Sequence, residues 1–197
     1  LKNCSFSATN IMDIDESWGT FDYIICHGVY SWVPDFVREK ILEICRNRMS
    51  PDGLAFISYN TMPGWGPLRT MREMLLVHIR DIEGTEEKAA QARALIKVLS
   101  QYTPPNAYSR HALSHMEKNI LPKPDYYFVH EFLEEENNPF YLTEFNDHLR
   151  KHHLQYVGDA SIETMFAGNM PGDTKHFIKK IPDAIKLSIE HEPGCDP

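Results

Sequence analysis

Residues 21–65 read FDYIICHGVYSWVPDFVREKILEICRNRMSPDGLAFISYNTMPGW, and the fold class turns on them. Tyr23, Ile24, Ile25 and Cys26 form a short apolar run without alternation, the form of a parallel strand covered on both faces. A helix is predicted next: Pro34 suits a first turn, Asp35 places negative charge near the positive end of the dipole, and Val37, Ile41, Ile44 and Cys45 recur at helical spacing. Ser50-Pro51-Asp52-Gly53 is the expected stop. A second apolar run, Leu54-Ala55-Phe56-Ile57, leads into Ser58-Tyr59-Asn60. Strand, helix and strand make a βαβ unit, whose crossover is right-handed in nearly all known cases.

In open α/β sheets, ligands bind beyond the carboxyl ends of the strands, so two segments are expected to face one crevice. They are His27-Gly28-Val29-Tyr30-Ser31-Trp32 and Asn60-Thr61-Met62-Pro63-Gly64-Trp65. Polar side chains, glycines and large aromatics are mixed there, as in a ligand-lined loop. Core or lid packing is the other reading of Trp32 and Trp65, because large aromatics mostly serve burial.

These strings carry a resemblance. FDYIICHGVYSWVP followed by VREKILEICRNRMSPDGLAFISYNTMPGW resembles the fourth and fifth strand region of class I S-adenosylmethionine-dependent methyltransferases. More narrowly, it resembles the bacterial group, including protein lysine methyltransferases, that carries a methyltransferase regulatory domain. The similarity continues through QARALIKVL and HEFLEEENNPFYLTEF to HLQYVGDA, covering about residues 5–165. It implies an α/β fold, the C-terminal part of a Rossmann-like class I methyltransferase sheet with a helical insertion. It implies S-adenosylmethionine as cofactor, and a methyl acceptor such as a protein lysine amine.

Cys4 to Ala8 is expected to be a short strand, the third of that sheet. The glycine-rich loop and the acidic strand end by which relatives hold the cofactor find no counterpart in this sequence, and there is no GxGxxG. Weak cofactor binding by this chain alone is the expectation. Where relatives usually place an acidic residue near the adenine, Asn10 and Ile11 stand. Asn10 could accept a bond from the adenine amino group while Ile11 packs on the ring; a local turn bond by Asn10 is the competing reading.

Composition narrows the class further. At 197 residues the chain fits one ample domain or one and a half small ones, and a hydrophobic fraction of 42% permits a real core. A net charge of −8 and no basic stripe argue against nucleic-acid binding, which relies on clustered Lys and Arg. The apolar runs are too short to cross a bilayer and the N-terminus lacks the pattern of a signal peptide, so a cytoplasmic protein without a membrane partner is expected. Cys4, Cys26, Cys45 and Cys195 show no CxxC spacing and read as reduced thiols.

After Trp65 the pattern turns helical. Leu68, Met71, Leu75, Ile79 and Ile82 make one stripe; Ala92, Leu95, Ile96, Leu99 and Tyr102 make a second; Tyr108, Ala112, Met116 and Ile120 a third, on a helix over about 107–121. Tyr126 to Leu133 fits helix or strand. Leu142, Phe145 and Leu149 then share a helix face, and Leu154 to Gly158 is expected to be the sixth strand rejoining the sheet. The resulting division is 1–65 as partial methyltransferase domain with strands three to five, 66–140 as a helical regulatory or lid insertion, and 141–197 as return helix, sixth strand and tail, with an amphipathic stretch at about 177–189.

Methyl transfer from a sulfonium requires alignment, exclusion of water and an unprotonated nucleophile. His27 is the candidate to take a proton from a lysine acceptor, with the hydroxyls of Tyr30 and Tyr59 and the amide of Asn60 orienting the nitrogen. His27 and Gly28 also sit where the resemblance implies cofactor contact. Trp32 and Trp65 could hold a cationic amine by cation–π attraction, worth about 0.5–2 kcal/mol. A structural hydrogen-bonding role for His27 remains open. His130 and Glu131 open the acidic HEFLEEENN segment and are candidates for the acceptor side, although a charge run is also read as a solvated face. His111 and His115 lie four apart, but HExxH is absent and no metal is expected. A noncatalytic regulatory or protein-interaction module is the alternative function.

Overall fold

A computed structural model describes residues 2–161 and 165, so the stretch at 177–189 and Cys195 lie outside the described residues. The chain divides into two units, one made of residues up to Thr61 together with those from Asn138 onward, the other of Met62–Asn137.

In the first unit, β1 (Phe21–Cys26) and β2 (Met49–Ile57) pair in parallel, joined by α1 (Asp35–Arg48). The βαβ reading holds. Asp35 opens α1, Ile41, Leu42 and Cys45 form its buried face, and Arg46 and Arg48 close its last turn beside the negative dipole end. Two single 3-10 turns precede β1, Ile11–Asp13 capped by Asn10 and Glu16–Trp18 capped by Asp15. α6 (Leu142–Lys151) buries Leu142, Phe145 and Leu149 against Tyr30, Ile41 and Leu42.

Four expectations need correction here. Cys4 to Ala8 is not a strand, and Phe6 is 91% exposed; β1 is hydrogen-bonded on its β2 side, and no described residue extends the sheet beyond it. Nor is β1 covered on both faces: Ile24 and Cys26 are half-buried, while Tyr23 and Ile25 on the opposite face are 73% and 74% exposed. Ser50 to Gly53 does not precede the second strand but bulges within it. From Phe21↔Met49 to Tyr23↔Leu54 the pairing advances two residues on β1 against five on β2, and Ser50 Oγ donates to Asp22 Oδ1 at 2.8 Å across the irregularity. Finally, Leu154 to Gly158 forms no strand, although burial alternates along it; a groove of about 900 Å³ is lined on one side by Leu54 to Ser58 and on the other by residues 153–161.

The second unit is helical: α2 (Gly66–Ile79), α3 (Thr85–Tyr102), α4 (Arg110–His115) continuing as a π-helical turn at Met116–Ile120, and α5 (Asp125–Phe132). Its core joins Met71, Leu75, Ile96, Leu113, Met116, Phe128 and Phe132 with small alanines where the helices approach. The third predicted helix starts later than expected, so Tyr108 precedes it and is fully exposed, and Tyr102 at the end of α3 is 73% exposed. The ambiguous segment is helix α5, which Pro124 and Asp125 initiate. Three arginines take up carbonyls that the helices leave unpaired. Arg93 donates to Leu121 O at 2.6 Å and Lys123 O at 2.8 Å, Arg72 to Glu134 O and Glu135 O, and Arg110 to Ser100 O. No helix among the described residues is long and apolar enough to cross a membrane.

Candidate functional site

Parallel pairing in register sets the carboxyl ends of β1 and β2 side by side. Cys26 pairs with Ile57, and Ser58 N–H donates to Cys26 O at 3.1 Å, so His27 and Ser58 follow as neighbours. Ser58 Oγ accepts the Gly28 N–H at 2.8 Å and lies 2.8 Å from His27 Nδ1. The His27 ring rests near Phe56, with centroids 6.0 Å apart. Gly28 has φ +68°, a left-handed backbone that turns the chain away from the strand, and a Cβ built there would meet nothing within 4 Å.

A second tie lies deeper. Ser31 is wholly buried; its Oγ accepts the Asn60 N–H at 2.8 Å, and its carbonyl accepts the Asn138 N–H at 2.7 Å. Asn60 O accepts the Phe140 N–H at 2.9 Å, beside a parallel bridge between Thr61 and Phe140. The loops after both strands and the segment at 138–140 are therefore one hydrogen-bonded assembly, and His27 and Gly28 stand at its exposed side. Backbone groups that would otherwise be orphaned hold the loops in place.

Tyr30, expected at the crevice, is wholly buried. It packs edge-on against Phe145 and Phe140, and its hydroxyl meets His148 Nδ1 at 3.1 Å. Burial pushes the Tyr30 phenol up and the His148 imidazole down, so the buried pair favours the uncharged form of both groups. Tyr59 is half-buried, 4.5 Å from the Phe145 ring by centroids, and burial pushes its phenol up as well. Both phenols therefore keep their protons. Arg38 is buried on the same cluster, its guanidinium 5.2 Å from the Phe140 centroid and bonded to Val33 O and Asp35, which holds the Asp35 carboxyl below the usual range.

Asn10 uses its side-chain oxygen on Met12 N–H at 3.0 Å, the local turn bond, and Ile11 packs at the border of the aromatic core. Trp32 is half-buried in this unit. Trp65, His130 and Glu131 belong to the other unit. There Trp65 stacks on Phe132 at 15° between planes, His130 is exposed, and Glu131 is half-buried, which pushes its carboxyl up. Asn137 Nδ2 donates to Glu131 O at 2.9 Å and shapes the end of α5.

Sequence reading thus brings His27, Gly28 and Asn60 to the sheet ends but misses Ser31, Ser58, Phe140 and His148. Ser58 had a signal: it is the first hydroxyl after the apolar run, at the level of His27 in a parallel pair. His148, 118 residues from Tyr30, had none.

Comparison with known proteins gives these groups a context. Residues 124–188 match the family model of a predicted methyltransferase regulatory domain. An uncharacterized protein of Rickettsia prowazekii is 43% identical over 187 residues, 94% of this chain and 34% of that protein. The structure of PKMT2 from Rickettsia typhi is similar at 40% identity and TM-score 0.75, over 92% of this chain and 34% of that one. The structure of PKMT2 from the same organism in complex with AdoHcy is similar at 39% identity and TM-score 0.73, over 92% of this chain and 35% of that one. The chain spans about a third of the length of each of these three relatives.

Proposed function

We propose that this chain, a member of the family that carries the methyltransferase regulatory domain, is part of an enzyme that transfers a methyl group from S-adenosylmethionine to a protein lysine amine. The observation that carries this reading is the likeness, over nine-tenths of the chain, to PKMT2 in complex with AdoHcy, the demethylated form of that cofactor. The cofactor supplies an electrophilic methyl group on sulfur. The two-stranded sheet is read as the C-terminal part of a Rossmann-like layer, whose carboxyl end is where such a ligand binds.

Within that reading, the chain's own contribution is placement. Ser31, Asn60 and Asn138 lock the loops, so that His27 and Gly28 are presented from a preorganised backbone. Asn60, half-buried, is assigned to orienting the acceptor nitrogen. Asn10 and Ile11 are assigned to the adenine side, and the half-buried Trp32 to shielding the site from water. Trp65, His130 and Glu131 of the helical unit are assigned to the acceptor. A half-buried carboxylate such as Glu131 suits a cationic amine, whose charge would stabilise its ionised form. The buried Tyr30 is assigned to packing beneath the loop after β1.

The test is calorimetric titration with AdoHcy of two proteins: this chain, and this chain joined to the part of the Rickettsia prowazekii relative outside the matched segment. Binding by the joined form, with methyl transfer from labelled cofactor to a lysine-containing protein, supports the reading. Absence of binding in both, while both are folded, sinks it in favour of a noncatalytic regulatory module.

A further inference from the structure

The Ser58 hydroxyl stands between two nitrogen atoms and can give only one proton. Gly28 N–H donates to it at 2.8 Å, which makes Oγ an acceptor on that side. His27 Nδ1 lies 2.8 Å away on another. Among the described residues, the Ser58 proton meets no acceptor other than Nδ1, and Nε2 of His27 meets no partner. If the hydroxyl gives its proton to Nδ1 while accepting from Gly28, all three groups are satisfied. In the opposite arrangement Oγ accepts twice, and its own proton has no protein acceptor. The positions are not adjustable at will: Gly28 is held by its left-handed turn, Ser58 by the Cys26 ladder bond, and the ring by Phe56.

We infer that Ser58 is a positioning residue that holds neutral His27 with its proton on Nε2, so that His27 presents a hydrogen-bond donor to a ligand oxygen and not a base to a protonated amine. This replaces the proton-accepting role expected of His27. The proton of an ammonium acceptor then leaves to water. The inference rests on the proposed function only for what the ligand is; the tautomer belongs to the folded chain without any ligand.

Nitrogen-15 spectroscopy of the full chain with labelled histidine reads the tautomer directly, through the long-range correlations between ring protons and ring nitrogens at about pH 8.5, where an ordinary imidazole is neutral. His27→Gln identifies the His27 signals by their loss. The expected pattern places the proton on Nε2 and leaves Nδ1 as a hydrogen-bonded acceptor. A neutral ring alone already leans this way, so the decisive arm is Ser58→Asp, whose carboxylate can only accept and is expected to move the proton to Nδ1. Ser58→Thr keeps the hydroxyl and is expected to retain the original pattern. A proton on Nδ1 of His27 in the unaltered chain, its signals identified by His27→Gln, overturns the inference. So does a folded Ser58→Asp that leaves the pattern unchanged. Because no ligand is added, either result is separable from failure of the methyl-transfer reading, which the AdoHcy titration decides.

Discussion

The Tyr30 hydroxyl meets His148 Nδ1 at hydrogen-bonding distance, 3.1 Å, across 118 residues of sequence, joining the loop after β1 to α6 inside the aromatic core of the first unit. Tyr30 is fully buried and His148 partly so. Tyr30→Phe keeps the packing and leaves Nδ1 without its hydrogen-bond partner. A loss of about 1–2 kcal/mol is expected by urea denaturation. Tyr30→Ala, which also opens a cavity among Phe140 and Phe145, is expected to lose about 3–5 kcal/mol. Equal effects of the two variants would contradict this division.

The same pair sets a pH dependence. Burial lowers the His148 pKa, so the unfolded chain binds a proton at this site more readily than the folded one. Stability from this source is present above the unfolded histidine value of about 6.5 and is lost as pH falls below it. His148→Gln is expected to flatten this part of the profile. Denaturation of both proteins between about pH 7.5 and 5.5 checks the sign, which is reversed if the wild type gains stability relative to the variant on acidification.

Two glycines predict different failures. At Gly28 an added Cβ meets nothing within 4 Å, so Gly28→Ala suffers only from its positive φ, about 1–2 kcal/mol. At Gly53 the Cβ would lie 2.5 Å from Met49 Cγ and 3.1 Å from Asp22 O, inside the bulge of β2. Gly53→Ala is expected to displace the bulge, seen as shifts in the amide resonances of Asp22 and Ser50, where Gly28→Ala leaves them in place.

Arg93 tests the helical unit. It bonds the Leu121 and Lys123 carbonyls, meets Asp125 at 3.0 Å, and lies 4.4 Å from the Phe128 centroid. Lysine has the charge but not the planar fork, so Arg93→Lys is expected to lose about 1–3 kcal/mol in denaturant unfolding. A fully conservative outcome would assign the site to charge alone.

Residue spacing by itself determined the βαβ order of the first unit and the helical character of the second. An apolar stripe such as Met71, Leu75 and Ile79 fits one secondary structure, and its burial follows wherever it finds a partner. The same local logic placed His27, Gly28 and Asn60 at the strand ends. Tertiary structure alone decided what local pattern leaves open. Leu154 to Gly158 has the burial alternation of a strand but lacks the ladder, because strand formation needs a neighbouring backbone within hydrogen-bonding reach. Tyr30 reads as a crevice hydroxyl in sequence and is a core residue in space, since α6 returns from far along the chain to cover it. Ser58 reads as the polar end of a strand until parallel register sets it against His27 and Gly28. Partners so far apart in sequence are chosen by packing, for which composition and periodicity carry no signal.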